Sequence, residues 1–232
     1  ILNTNGLALT RELLHELKAA GLSGLTFHID SKQGRPGWRN KTESEMNELR
    51  QSFVELVASV GDISCAFNST VYEDTLEQVP DIVQWGAQNI EHVHTLVFIT
   101  YRAARLDSYD YFAAGKPIDM GKVVYTLDAP RRTDISSREV VATIRKRFPE
   151  FTPCGYLNGT EQPDSFKWLA SVRVGDKRKI HAYLGPKLLE LSQSAHHWAQ
   201  GRYMSYASPA LMRMGRLALL GGALVQPWLR AA

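Results

Sequence analysis

The first hundred residues alternate between short apolar runs and longer segments in which apolar residues recur about every 3.6 positions. The short runs are rich in β-branched and aromatic residues, which favour strands, and the longer segments carry helix-capping residues. Such alternation predicts βαβ units and a parallel sheet. Because the crossovers in these units are right-handed, two folds stay open: an open doubly wound sheet and a barrel.

Local signals set the expected ends of these elements. Thr10 is expected to cap a first helix that stops at Gly21, and Thr42 with Glu45 forms a capping box before the second. A third helix is expected over Val79–Glu91. The strands are expected over four ranges of mainly apolar composition: 1–5, 25–30, 62–71 and 95–100.

Polar side chains stand where each of these strands ends. In parallel α/β folds, ligands bind at the carboxyl ends of the strands. All four ends are polar: Thr4-Asn5-Gly6, His28-Ile29-Asp30-Ser31, Asn68-Ser69-Thr70 and Thr100-Tyr101-Arg102. Loops are often polar by composition alone, so the polar strand ends mark a candidate binding edge of the sheet but do not identify its ligand.

The order and spacing of these segments resemble the core of radical S-adenosylmethionine (SAM) enzymes. In that family a strand ending in Thr-Asn-Gly precedes a helix, and a strand ending in a polar triplet follows; here these are Ile1–Leu7 and His28-Ile29-Asp30, with Ser31–Pro36 after it. The strands ending at Asn68 and Thr100 fall where the fifth and sixth barrel strands would lie. The resemblance implies a partial (β/α) TIM-like barrel over residues 1–105 and an α+β extension over 106–232.

The same resemblance implies a cofactor pair. SAM would bind beside a [4Fe–4S] cluster and be cleaved reductively to a 5′-deoxyadenosyl radical, which acts on a substrate that could be hydrophobic. The family's Cys-x3-Cys-x2-Cys and Gly-Gly-Glu-like motifs are absent, and the chain's two cysteines cannot hold three irons of a cubane. We therefore expect the cluster ligands upstream of residue 1, no metal ligand within the chain, and no activity from the chain alone.

Seven residues are expected to bind the cofactor: Thr4, Asn5, His28, Asp30, Ser31, Arg35 and Asn68. By resemblance, Thr4 and Asn5 would line the SAM pocket, and His28, Asp30 or Ser31 would face the ribose or the substrate. Asn68 would bind the ribose hydroxyls, and Arg35 a carboxylate, which suits a bidentate guanidinium. The residues alone leave open a turn or N-cap role for Asp30 and an exposed loop position for Arg35. No catalytic residue is assigned.

Other reactive side chains carry weaker signals. His92 and His94 would share a strand face, as metal ligands do, but they precede the apolar part of their strand, at the edge that serves stability. Cys65 is expected in the core, and Cys154 in a loop from which it could approach a site. Two rival functions stay open: a cluster-free barrel lyase or hydrolase that uses Asp30 and His28, and a non-catalytic binding module.

The alternation stops near residue 105. Ser136 with Glu139 predicts a capped helix, and Gly175-Asp176-Lys177 predicts a hairpin turn. Phe151–Gly159 is rich in turn formers and is expected to be a loop.

The partners are expected to be a small-molecule or lipid-like substrate and an electron donor, with no nucleic acid. From residue 164 onward there are ten Lys or Arg against three Asp or Glu, and such a basic face can meet an anionic surface or only solvent. Residues 209–229 could form an amphipathic helix at a membrane surface, although a docking helix or an oligomer contact explains them equally well. Few cysteines and no signal peptide indicate the cytoplasm, with peripheral membrane contact as an alternative.

Overall fold

The computed structural model describes residues 1–102, 110–119, 132–158 and 167–201. Its first part is a four-stranded parallel sheet in the order β1-β2-β3-β4, which confirms the predicted α/β class. The elements of this part are β1 (Leu2–Thr4), α1 (Arg11–Ala19), β2 (Gly24–His28), α2 (Asn47–Val60), β3 (Ser64–Val71), a 3-10 helix (Glu73–Gln78), α3 (Val79–Gln88) and β4 (Val93–Thr100).

The ends of the helices follow the predicted caps with two differences. The Thr10 hydroxyl accepts from the Leu13 amide, as an N-cap does. The Thr42–Glu45 box forms, and the Thr42 amide and hydroxyl lower the pKa of Glu45 to about 2, but turns separate the box from the start of α2 at Asn47. The third helix ends at Gln88 rather than Glu91, because the Asn89 side chain bonds the Trp85 carbonyl at 2.9 Å.

The three helices pack on one face of the sheet. Leu14 of α1, Phe53 of α2 and Trp85 of α3 share a buried cluster with Phe27 and Phe67, whose rings lie 5.3 Å apart. Because side chains alternate along a strand, the residues beside Phe27 and Phe67 point to the opposite face. The sheet therefore has a helix-covered face and a second face, which carries the next residue of each strand.

The turn after β1 needs a glycine. Gly6 adopts a φ of +79°, and a Cβ there would lie 2.4 Å from the Phe53 ring. The close approach of this turn to α2 therefore requires the absence of a side chain, which explains the glycine that follows Thr4-Asn5.

The remaining described elements are α4 (Ser137–Arg147), α5 (Pro186–Gln200) and three antiparallel strand pairs. These pairs are β5 (Phe112–Ala113) with β6 (Lys116–Pro117), β7 (Gly155–Asn158) with β8 (Lys167–Ala170), and β9 (Arg173–Gly175) with β10 (Ile180–Tyr183). The Ser136–Glu139 capping box forms, and the expected hairpin turn joins β9 to β10. The first strand of this hairpin, expected over Phe166–Val174, is divided into β8 and β9, and β8 pairs with β7 instead of β10.

A second prediction in this region is wrong. Residues 155–158, expected in a loop, form a strand because β8 supplies a hydrogen-bonded partner that local sequence does not reveal. Residues 209–229, for which an amphipathic helix is one expectation, lie outside the described residues.

The described strands do not close into a barrel. Across the described ranges, we find no helix with the length and apolar character needed to cross a bilayer.

Candidate functional site

Three polar residues share the second face of the sheet at its carboxyl edge. His28 is in register with Asn68 on the neighbouring strand, and Thr70 follows Asn68 by two positions, so all three point to the same side. The imidazole Nε2 of His28 lies 3.1 Å from the Thr70 hydroxyl, which joins β2 to β3 through side chains. The His28 side chain is 42% exposed and can therefore contact a ligand.

Asp30 divides its two carboxylate oxygens between a turn and the imidazole. Oδ1 accepts from the Lys32 amide at 3.0 Å, so the turn role left open by the sequence is real for this oxygen. Oδ2 lies 3.2 Å from His28 Nε2, and the carboxylate is only 3% exposed. A buried carboxylate in this position holds the imidazole in one orientation.

Asn68 carries an unusual atom for a folded protein. Its side-chain oxygen is buried and has no hydrogen-bond partner among the described residues. A buried acceptor left unpaired costs about 1–3 kcal/mol, and a bound ligand or an ordered water is one explanation for it. Arg50 Nε is the other such atom among the described residues. This oxygen lies on the same face and edge as His28, which makes it the strongest sign of a binding site there.

Arg35 is a buried connector between strand ends and not an exposed loop residue. It is 4% exposed, and its Nη1 and Nη2 donate to the carbonyl oxygens of Asn5 and His28, each at 2.6 Å. Its Nε donates to Gln33 at 2.8 Å. Desolvation lowers the pKa of this guanidinium, and the nearby Asp30 carboxylate opposes that shift. Three of its five N–H groups therefore bond the protein itself, and the buried side chain joins the ends of β1 and β2.

The other expected residues lie around this group without joining it. Thr4 is in register with Phe27, on the helix-covered face, and its hydroxyl accepts from the Gly6 amide. The Asn5 side-chain oxygen accepts from the Leu7 amide at 3.1 Å. Ser31 lines a neighbouring open cleft of about 300 Å³. The structure therefore brings together His28, Asp30 and Asn68 and places the rest at the margin.

A buried ion pair beneath the edge was not anticipated. Arg50 of α2 and Glu43 are 0% and 2% exposed and bond each other directly. Glu43 also accepts from the Ser31 amide at 2.8 Å, and Arg50 donates to the Ile29 carbonyl at 2.9 Å. The sequence did hold a signal, because Arg50 falls on the same helical stripe as the apolar residues that face the sheet.

Two aromatic rings extend the second face beyond Thr70. Tyr72 follows β3 and Tyr101 follows β4, and their ring centroids are 5.0 Å apart. The Tyr101 amide bonds the Val71 carbonyl at 3.0 Å, which keeps both residues in line with the strand register. They form an apolar wall at the carboxyl edge, two residues past Thr70 on the same strand face.

The remaining candidates have structural roles. His94 accepts from the Cys65 amide through Nδ1 at 3.0 Å, at the opposite edge of the sheet. Cys65 is fully buried, and burial raises its pKa to about 12. Cys154 is buried beside the Ala170 carbonyl, and burial raises its pKa as well. Within the described ranges, no three His, Cys, Asp or Glu side chains are grouped as metal ligands.

Comparisons with known proteins leave the chain without an assigned family. No protein-family model matches it, and no curated protein shows significant similarity to it. The function is therefore inferred from the geometry of the carboxyl edge and from the motifs found there.

Proposed function

We propose that this chain belongs to a radical SAM enzyme and that the carboxyl edge of its sheet binds the ribose of SAM. The buried oxygen of Asn68, for which the described part of the chain supplies no hydrogen-bond partner, carries the proposal. It is an acceptor that needs an O–H or N–H donor, and a ribose hydroxyl is both a donor and an acceptor. His28 and Thr70, on the same face, offer the further polar groups that a second hydroxyl requires.

The winding of the sheet supports a barrel segment. A doubly wound sheet carries helices on both faces, whereas a barrel carries all of its helices outside. Here α1, α2 and α3 share one face of a sheet with strands in sequential order. In a barrel, the face with His28 and Asn68 would point inward at the end where active sites form. We propose a partial barrel over 1–105 and an extension over 106–232.

In this proposal the residues of the chain bind and orient SAM, and they do not carry out its reductive cleavage. Cys65 lies in β3 and Cys154 lies just before β7, and both are buried, so these thiols do not fit a cluster. When bound, SAM supplies a sulfonium that enzymes of the resembled family cleave reductively. The chain would hold the ribose through Asn68, keep His28 oriented through Asp30, and keep the strand ends together through Arg35. Such fixed polar groups restrict the ligand to one geometry.

The substrate class and partners follow from the same proposal. A small or lipid-like substrate and an electron donor would approach the carboxyl edge, where the Tyr72–Tyr101 wall favours an apolar group. Two unpaired cysteines fit a reducing compartment, and we propose the cytoplasm.

A specific observation favours one second candidate. The contact of 3.2 Å between His28 and Asp30 also suits acid–base catalysis in a cluster-free lyase or hydrolase. A non-catalytic binding module would use the same edge without turnover.

The deciding experiment incubates the complete native protein, purified under anaerobic conditions, with SAM and dithionite. Formation of 5′-deoxyadenosine that is lost in Asn68→Ala supports the proposal. Binding of SAM without this product supports the binding module, and ester or lyase turnover that needs no SAM supports the cluster-free enzyme.

A further inference from the structure

We infer that the buried Glu43–Arg50 pair is a positioning element that holds the Asp30 carboxylate against His28. The effect of this pair on ligand affinity rests on the proposed function, whereas its effect on the His28 imidazole does not.

The pair bonds the peptide groups on both sides of Asp30. On one side, Arg50 Nη2 donates to the Ile29 carbonyl at 2.9 Å. On the other side, Glu43 Oε2 accepts from the Ser31 amide at 2.8 Å. The position of the Asp30 backbone is therefore fixed from beneath the edge by two charged side chains that bond each other.

The sheet itself does not supply this support. Strand β2 ends at His28. One more backbone hydrogen bond to β3 follows, from the Ile29 amide to the Asn68 carbonyl at 2.9 Å. From the Ile29 carbonyl onward, side chains replace strand pairing. Ser69 adds to this support, because its hydroxyl donates to the Ile29 carbonyl at 2.8 Å and accepts from Arg50 at 2.9 Å.

Fold stability alone is a weak reason for such a pair. Taking two charges out of water costs about as much as their attraction returns, and apolar residues of similar volume often serve equally well. Here Arg50 donates to five oxygen acceptors. Two of them are the Ile29 carbonyl, next to the end of β2, and the Ser69 hydroxyl, near the end of β3. A guanidinium with a rigid fork serves such simultaneous contacts better than an ammonium.

The test compares Arg50→Lys, which keeps the charge and removes the fork, with Ser69→Ala, which leaves the ion pair intact. Arg145→Lys is the matched control, because the exposed Arg145 of α4 bonds the Phe151 carbonyl rather than Glu43 or Arg50. Circular dichroism verifies folding. Two readouts follow: the His28 ring signal in ¹H–¹³C spectra, assigned with His28→Gln, and SAM affinity by calorimetry.

We expect the His28 signal of Arg50→Lys to move toward its position in Asp30→Ala, and to move further than that of Ser69→Ala, in which the ion pair remains. The Arg145→Lys signal should stay in place. Affinity should fall by about threefold to tenfold, the equivalent of one hydrogen bond. A His28 signal unchanged in the folded Arg50→Lys variant would overturn the inference. A moved signal in a chain that does not bind SAM would support the positioning role and reject the proposed function. If Arg50→Lys does not fold, Glu43→Gln, which breaks the ion pair and nearly keeps the side-chain volume, decides between these outcomes.

Discussion

The carboxylate of Asp30 lies 3.2 Å from the imidazole Nε2 of His28, at the point where β2 ends. The same nitrogen lies 3.1 Å from the Thr70 hydroxyl on the next strand, so one imidazole joins a carboxylate and a hydroxyl. The imidazole is half-exposed while the carboxylate is buried, which is the arrangement expected when one group meets a ligand and the other orients it.

Replacing Asp30 should separate its two roles. Asp30→Asn keeps an oxygen that can accept from the Lys32 amide but loses the charge beside His28, so we expect the unfolding free energy to fall by less than about 1 kcal/mol. Asp30→Ala loses the turn as well and should cost about 1 kcal/mol more. Both should weaken SAM binding, as measured by calorimetry beside urea unfolding. Normal affinity in both variants would remove Asp30 from the site.

Arg35 should contribute mainly to stability. Arg35→Met leaves the Asn5 and His28 carbonyls without their donors, so we expect a loss of about 2–4 kcal/mol in urea unfolding. Arg39→Met, in the exposed part of the same loop, is the control and should change stability by less than about 0.5 kcal/mol. A carboxylate-binding role would show the reverse, with normal stability and weakened SAM binding.

The chain alone should not assemble an iron–sulfur cluster. Burial keeps both thiols protonated, and Cys65 lies in β3 among core residues. Anaerobic reconstitution followed by iron and sulfide quantitation should give no stoichiometric cluster. A brown product with about four irons per chain would contradict this account, because a cubane needs thiolate ligands.

Cys65 should make stability fall at alkaline pH. Its pKa rises from 9.0 to about 12 on folding, so between these values the folded chain keeps a proton that the unfolded chain loses. Stability contributed by this thiol is complete below about pH 9 and declines by about 1.4 kcal/mol for each further pH unit. Cys65→Ala should therefore show a shallower decline between pH 9 and 10.5 in urea unfolding. Parallel declines would show that the thiol does not remain protonated in the fold.

Part of this organisation could be read from the sequence for a simple reason. Strand and helix positions follow from the spacing of apolar residues, and the parallel sheet then places His28, Asp30 and Asn68 at one edge. The contacts of Arg35 could not be read, because its neighbours Gly34 and Pro36 indicate a loop whose path depends on the strands beneath it. The strand β7 could not be predicted either, because its partner β8 begins only at Lys167, further along the sequence.

The buried pair marks the limit of such reading. Arg50 interrupts an apolar helical stripe, and this departure from the pattern was the available sign of a buried charge. Its partner Glu43 lies seven residues earlier, before the helix begins, so helical periodicity cannot identify it.

The most direct test of the proposed site is a SAM titration of the complete protein with its cluster, as wild type and as the Asn68→Ala and Ser64→Ala variants. Ser64, at the opposite end of the same strand, is the matched control. Since the Asn68 oxygen has no partner within the described residues, its removal should leave the thermal midpoint unchanged or raise it. We predict that Asn68→Ala binds SAM about 0.5–1.5 kcal/mol more weakly, while Ser64→Ala binds normally. Equal affinity in Asn68→Ala, or no binding by the wild-type complete protein, would contradict the assignment of this edge as the SAM site.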